Sequence, residues 1–331
     1  MKILQTLQWI QFAGTEKVCV DLCNEMSKNH EVILLSNKDI TQKLNKNVKF
    51  IEFNFDKSRF NPFFLYKTAK FIEEINPDII QCHNAKELEI MKYMQFFLKK
   101  KIPIVATRHN AELKKKYAFA NLGIAVSDET MNYMNAKKNI LITNGVSKVK
   151  PNLIKNDKFT ILGVGRLAPV KGWDLLINAA SKLNFDFKLQ ILGEGDEKRH
   201  LQDLASRLGI KDKVEFLGFK NNVADYVASS DLQVIASVTE GLSISLIEAI
   251  FYAKILIASN VSNHENLIGK KLVYNRDAKI LADNINDIYK NYKEYQDEFA
   301  KVKLKKDNFS IEKMTQKYIK AYENLIEDFK K

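Results

Sequence analysis

Short apolar runs and amphipathic stretches alternate along the whole chain. In the first half, Lys2–Leu7, Glu31–Ser36, Val48–Phe53, Asp78–Gln81, Ile102–Ala106, Gly123–Val126 and Asn139–Ile142 read as buried strands. Residues 15–28, 61–75, 85–99 and 128–135 lie between them and carry apolar positions at helical spacing. A polar linker from Ser147 to Asp157, with Pro151 and two asparagines, ends this series. The pattern then restarts, with strands at Thr160–Val164, Lys188–Leu192, Val214–Leu217, Leu232–Ala236, Ile255–Ala258 and Lys271–Val273. Helices are expected near 172–183, 196–208, 222–229 and 244–252, and the tail from Ala278 is helical, its last segment capped by Ser310. Apolar strands alternating with helices belong to parallel sheets covered on both faces. The chain therefore predicts an α/β fold of two doubly wound domains, 1–150 and 151–308, followed by a helix over 309–331. Two such sheets facing one another would place their strand ends across one cleft, where ligands bind in this architecture.

Composition narrows the class. The 331 residues, 46% hydrophobic and 28% charged, suffice for two ordinary cores. No apolar stretch reaches the ~18 residues of a membrane span. The first strand is interrupted by Gln5, Gln8 and Gln11 and no small-residue cleavage site follows, so it makes a poor signal peptide and a cytoplasmic protein is expected. Cys19, Cys23 and Cys82 fit buried thiols in a reducing compartment better than a disulfide or a metal site. Residues 1–150 hold 24 Lys and Arg against 15 Asp and Glu, so most of the net charge of +12 lies there. That excess suits a phosphate-rich partner, but no nucleic-acid recognition motif accompanies it.

Chemistry concentrates in the second half. The run Phe159–Val164 ends in Gly165, presents Arg166, and five residues later presents Lys171 ahead of Gly172 and a helix. A guanidinium fork, a point charge and a helix N-terminus at one strand end suit a diphosphate. Gly193-Glu194-Gly195 follows the next strand, where glycines let a ligand approach the backbone or simply form a tight turn. Val214–Leu217 closes on Gly218, so the backbone of Phe219 and Lys220 can read a nucleobase edge. Glu240-Gly241-Leu242-Ser243 precedes a helix that carries Glu248. The N–H groups of Leu242 and Ser243 can hold an anion, whereas the two carboxylates are suited to sugar hydroxyls rather than to phosphate.

In order and spacing, Gly165-Arg166-Leu167 with Lys171-Gly172, then Gly193-Glu194-Gly195, then Glu240 and Glu248 resemble the retaining glycosyltransferases of family 4. The resemblance covers essentially the whole chain. It implies the GT-B fold, two Rossmann-like domains facing across a cleft with the C-terminal helix crossing back to the first. It also implies a hexosyltransferase that uses a nucleotide sugar, a UDP-sugar by family frequency, retains anomeric configuration and needs no metal cofactor. The chain contains no Asp-x-Asp pair, the usual metal–diphosphate handle of the other large glycosyltransferase fold. Carried across, Arg166 and Lys171 bind the diphosphate and stabilise the leaving group, Glu240 contacts the transferred sugar and Glu248 the ribose, and Leu242 and Ser243 add backbone donors. The implied acceptor is a glycan or lipid-linked sugar of bacterial cell-surface or lipopolysaccharide synthesis.

In the first half, Phe12-Ala13-Gly14-Thr15-Glu16 resembles the family's glycine-rich loop, with Ala13 where the family has a first glycine and Gly14 left to approach the donor. His83 and His109 follow strands; His109 matches the family position beside the donor sugar, and His83 either lines the acceptor pocket or bonds a loop. Arg108 and Lys114 to Lys116 cluster near Tyr117 and Phe119, and residues 61–75 and 86–101 mix Phe63, Phe64, Tyr66, Tyr93, Phe96 and Phe97 with lysines. These segments are either a surface for an anionic membrane or helices with apolar cores and solvated lysines. A nucleotide-sugar epimerase, a phosphorylase on the same fold and a non-catalytic binding subunit remain as alternatives.

Overall fold

A computed structural model describes residues 1–8, 14–110 and 115–331. They form two units, Met1–Ser147 with Phe309–Lys331, and Lys148–Asn308. The first is built on β1 (Lys2–Leu7), β2 (Glu31–Ser36), β3 (Val48–Glu52), β4 (Ile79–Cys82), β5 (Ile104–Arg108), β6 (Leu122–Ala125) and β7 (Lys138–Leu141). All pair in parallel, in the order β3-β2-β1-β4-β5-β6-β7. Its helices are α1 (Gly14–Met26), α2 (Pro62–Ile75), α3 (Ala85–Met94) and α4 (Asp128–Asn132).

The second unit holds β8 (Phe159–Val164), β9 (Phe187–Leu192), β10 (Val214–Gly218), β11 (Leu232–Ile235), β12 (Leu256–Ser259) and β13 (Val273–Tyr274). They too are parallel, ordered β10-β9-β8-β11-β12-β13. Its helices are α5 (Trp173–Ala180), α6 (Lys198–Arg207), α7 (Val223–Ser229), α8 (Ile244–Tyr252), α9 (His264–Ile268), α10 (Ala278–Lys290) and α11 (Tyr292–Lys303). In each sheet the strand order reverses beside the first strand, between β1 and β4 and between β8 and β11. Crevices outside the carboxyl ends of strands at such reversals are the ligand sites of doubly wound sheets.

The inner strands are buried on both faces, as parallel packing requires: β1 is buried from Ile3 to Leu7 and β12 throughout. The helices start and stop where local chemistry dictates. Asn61 accepts from the N–H groups of Phe63 and Phe64 at 3.1 Å, Pro62 takes the first helical position of α2, and Asn76 ends it at φ 50°.

The last helix, α12 (Ile311–Lys330), belongs to the first unit. Its Tyr318 and Tyr322 are fully buried, and their hydroxyls meet Thr107 Oγ1 at 3.0 Å and Gln81 Oε1 at 2.9 Å. Burying each ring stabilises by roughly 1.5–3 kcal/mol, and the hydrogen bonds avoid the cost of a buried unpaired hydroxyl.

Three of the departures from the sequence expectation have a local cause. The helix expected over 85–99 ends at Met94 in a 3-10 turn, Gln95–Phe97, because the Gln95 side chain turns inward to donate to Ile102 O at 2.7 Å. The next strand begins at Ile104 rather than Ile102, since Pro103 has no N–H to give the ladder. Gly269, at φ 89°, starts a 3-10 turn over Lys270–Leu272 that reduces the expected Lys271–Val273 strand to Val273–Tyr274. The cysteines are free and buried. No helix among the described residues is long and apolar enough to cross a membrane.

Candidate functional site

At the carboxyl end of β8 the chain makes a tightly determined turn. Gly165, at φ 155°, donates to Leu192 O at 2.9 Å, and the indole N–H of buried Trp173 donates to Arg166 O at 2.8 Å. The Arg166 backbone is thereby fixed while its side chain stays exposed. Trp173 fits because Gly163 lacks a Cβ, which would lie 2.4 Å from the ring. Gly172, at φ 65°, turns the chain into α5.

Lys171 does not stand alone. Its Nζ lies 2.5 Å from Glu240 Oε1, and that oxygen also accepts from Ser237 Oγ at 2.6 Å. The side chains are 24% and 11% exposed, so this is a partly buried pair at the mouth of the sheet. Val238 N–H donates to Val170 O at 2.8 Å, and Ser262 bridges the Glu240 backbone, accepting from its N–H at 3.2 Å and donating to its carbonyl at 2.5 Å. The loops after β8 and β11 thus form one structure, bringing together residues 69 apart in sequence.

Gly193 and Gly195 have a reason of their own to be glycine. At φ 146° and 158°, Cβ atoms there would lie 1.9 Å from Gly165 O and 2.2 Å from Leu167 O. The β9 turn is therefore packed against the Gly165–Leu167 backbone, and Leu167 N–H donates to Glu194 O at 2.8 Å. Gly218, at φ 69°, ends β10, and its carbonyl accepts from Gly193 N–H at 2.9 Å. Phe219 beyond it is exposed and Lys220 half-buried. Leu242 and Ser243 lead into α8, where Ser243 Oγ pairs with Ser245 Oγ at 3.0 Å rather than capping the helix. Glu248 lies buried within α8.

One cation escaped the sequence reading. Arg276, just beyond β13, sends Nε to within 3.4 Å of Ala236 O, and its guanidinium lies over Gly172, 3.3 Å from where a Cβ would stand. It adds a third positive charge beside the Lys171–Gly172 turn. Its position at a strand's carboxyl end, the same signal that singled out Arg166, was available in the sequence.

In the first unit, His83 and His109 directly follow β4 and β5. Their rings stack at 20° with centroids 5.5 Å apart, His83 Nδ1 lies 3.2 Å from His109 Nε2, and His83 Nε2 lies 2.9 Å from Gln5 Oε1. Burial holds His109 down to about 4 and His83 well below the usual histidine range, so both are neutral. Both line a pocket of about 30 Å³ with Thr15, Asn84, Arg108, Asn110 and Tyr117.

Beneath the pocket, buried Glu87 receives five donors: Thr6 Oγ1 at 2.9 Å, Gln8 N–H, His83 N–H at 3.0 Å, and Asn84 N–H at 3.3 Å and Nδ2 at 2.9 Å. Burial raises its carboxyl and these bonds lower it, leaving about 7. Glu87 ties the end of β1 to the end of β4. Gly14 is exposed at the start of α1, whereas Phe12, Ala13 and Lys114 lie outside the described residues.

The basic and aromatic residues sort into two groups. Arg108 is buried, with Nη1 donating to Tyr133 O at 2.8 Å and its guanidinium 4.7 Å from the Tyr117 ring centroid, so it is no surface cation. Lys116 pairs with Glu89 at 2.7 Å, and Phe64, Tyr93 and Phe119 pack against the core. Phe60, Phe63, Tyr66 and Phe96 stay exposed.

Two family models match the chain in succession: "Glycosyltransferase Family 4" over residues 12–148 and "Glycosyl transferases group 1" over 147–305. An uncharacterized glycosyltransferase of Haemophilus influenzae is 29% identical over 221 residues, 60% of this chain. A 4-alpha-N-acetylgalactosaminyltransferase of Campylobacter jejuni, named for an N-acetylgalactosamine-N,N'-diacetylbacillosaminyl-diphospho-undecaprenol, is 45% identical over 103 residues, 31% of this chain. The chain spans 62% and 28% of these two relatives' lengths. Among solved structures, Anabaena Alr3699/HepE in complex with UDP-glucose superposes with a TM-score of 0.85 at 18% identity, over 98% of this chain and 100% of that one. That likeness establishes the GT-B architecture.

Proposed function

Because the chain belongs to glycosyltransferase family 4, we propose that it is a hexosyltransferase moving a sugar from a UDP-sugar to a glycan or lipid-linked acceptor, with retention and without a metal cofactor. The observation that carries this reading is the turn after β8, where Arg166 is presented by a fixed backbone and Lys171 is locked to Glu240. A diphosphate entering there meets a planar fork of donors and a lysine already oriented by its carboxylate. As the sugar–phosphate bond breaks, charge grows on the departing oxygen, and cations already in place stabilise it without reorganising, an effect typically worth ~2.7–4 kcal/mol per donor. Once Lys171 is shared with phosphate, Glu240 keeps the Ser237 hydroxyl and can accept from sugar hydroxyls. Glu248 takes the ribose, Leu242 and Ser243 the phosphates, Phe219 and Lys220 the base, and His109 the donor sugar.

Relatives support the substrates: the HepE structure holds UDP-glucose, and the Campylobacter relative is named for a diphospho-undecaprenol acceptor. A lipid-linked acceptor is reached at a membrane face. On α2 the exposed Phe63 and Tyr66 share one helical face with Lys67 and Lys70, at i, i+3, i+4 and i+7. Lys67 Nζ lies 4.4 Å from the Phe63 ring centroid. Aromatic rings interleaved with cations suit an anionic bilayer surface, and we propose peripheral attachment there, on the cytoplasmic side. The test is transfer from UDP-sugars to undecaprenyl-diphosphate-linked acceptors in chelator-treated buffer, with product anomers read by NMR. An α-linked product supports the reading. Donor conversion without acceptor would instead mark an epimerase, and a strict need for free phosphate a phosphorylase.

A further inference from the structure

We propose that His83 is a positioning residue that holds His109 as its Nε2–H tautomer, so that His109 meets the ligand through Nδ1 as a hydrogen-bond acceptor.

The assignment starts in the core below the pocket. The Gln5 amide nitrogen lies 3.5 Å from Met26 Sδ, and a thioether can only accept. The amide NH2 therefore faces the sulfur and Oε1 faces His83 Nε2 at 2.9 Å, so that nitrogen must carry the proton. A neutral imidazole has one N–H and one lone pair, so His83 Nδ1 is an acceptor. The only hydrogen that can fill its 3.2 Å contact with His109 Nε2 is the His109 Nε2–H, which leaves the His109 lone pair on Nδ1. Burial keeps both rings neutral, because either imidazolium would place a charge in a desolvated site. Among the described residues no carboxylate is bonded to the His83 ring: Glu87 takes the His83 backbone N–H instead.

The functional consequence rests on the glycosyltransferase reading. A His109 fixed in this form can accept from a sugar hydroxyl but cannot act as a cationic acid. Because His83, Gln5 and Met26 lie one, two and three steps behind it, the tautomer is set by the core and not by solvent.

The test reads the tautomer without substrate, so its outcome stands apart from that of the transferase claim. Long-range ¹H–¹⁵N correlation spectra of the full chain, with histidines assigned by single variants, should show His109 protonated at Nε2. His83→Asn retains an acceptor, its Oδ1, at the place of Nδ1 and should preserve that signature. His83→Phe keeps a ring but no acceptor and should give a changed or mixed tautomer. Gln5→Leu, which frees His83 to change its own proton, should do the same if His83→Phe does not fold. In turnover with a UDP-sugar, His83→Phe should lose at least tenfold in kcat, His83→Asn should recover most of it, and UDP affinity should stay within twofold in both. Protonation of His109 at Nδ1 in the parent, or a His109 signature unchanged in both His83→Phe and Gln5→Leu, overturns the proposal.

Discussion

Replacing Lys171 by Ala removes one member of the pair that organises the loops after β8 and β11, and its effect can be worked from the geometry. A hydrogen bond between charged groups contributes about 1.5–3 kcal/mol, so losing the lysine's contact with a diphosphate weakens UDP binding by about 10- to 150-fold. A second penalty adds to it. Glu240 is only 11% exposed, and without Lys171 it keeps the Ser237 hydroxyl but no countercharge. Its carboxylate then repels the incoming phosphate, by about 4 kcal/mol for unit charges 4 Å apart at an effective dielectric of 20, less where water reaches. Lys171→Ala should therefore fall at the weak end of the range, about 100-fold or beyond. Adding Glu240→Gln should restore part of the affinity, five- to tenfold over Lys171→Ala, because it removes the repulsion. Glu240→Gln alone should bind UDP within a fewfold of the parent while losing turnover. Calorimetric titration of the four proteins with UDP, in chelator-treated buffer and with melting curves to confirm folding, yields the coupling term directly. Binding of Lys171→Ala within twofold of the parent, or strictly additive effects in the double variant, would refute the reasoning.

Three further outcomes follow from other contacts. Gly193→Ala places a Cβ 1.9 Å from Gly165 O at φ 146°, so it should cost about 3 kcal/mol in denaturant unfolding and abolish UDP binding with it; a parent-like midpoint would contradict this. His109, held at about 4 against 6.5 in an ordinary chain, contributes stability that is complete above pH 6.5 and lost as pH falls towards 4, and His83 acts in the same sense. Glu87, raised to about 7 from 4.5, acts oppositely, its contribution being lost as pH rises through 7, so Glu87→Gln should make stability fall more steeply between pH 6.5 and 5, by up to about 1.4 kcal/mol per pH unit, the effect of one proton. A slope equal to the parent's would count against the assignment. Phe63→Ser with Phe96→Ser should cut partitioning onto vesicles rich in anionic lipid at least tenfold and spare UDP affinity; unchanged partitioning would remove this face from the membrane argument.

Much of this architecture was legible because parallel strands buried on both faces leave unbroken apolar runs, and helices between them keep their period. Boundaries slipped where one residue acts against its neighbours, as at Gln95, Pro103 and Gly269. Helix α9 was missed because five residues are too few to show a period. The glycines and cations after β8 stood out as residue types, but the partner of Lys171 did not, since its distance from Glu240 depends on how two loops close on each other. Exposure was also hidden: Phe63 and Phe64 are adjacent in sequence, yet one faces solvent and the other packs on Phe53 with ring centroids 5.9 Å apart. Arg108 read as a surface cation because nothing in a sequence shows the Tyr133 carbonyl and Tyr117 ring that receive it.

The central claim is a diphosphate site at the carboxyl end of β8, and titration with UDP, GDP, dTDP and ADP in chelator-treated buffer, beside Arg166→Ala, tests it most directly. The account predicts saturable binding of UDP above the other three, weakened at least tenfold in Arg166→Ala although the variant melts with the parent, because the side chain it removes is exposed. Absence of binding for all four nucleotides, or equal UDP affinity in parent and variant, would contradict it.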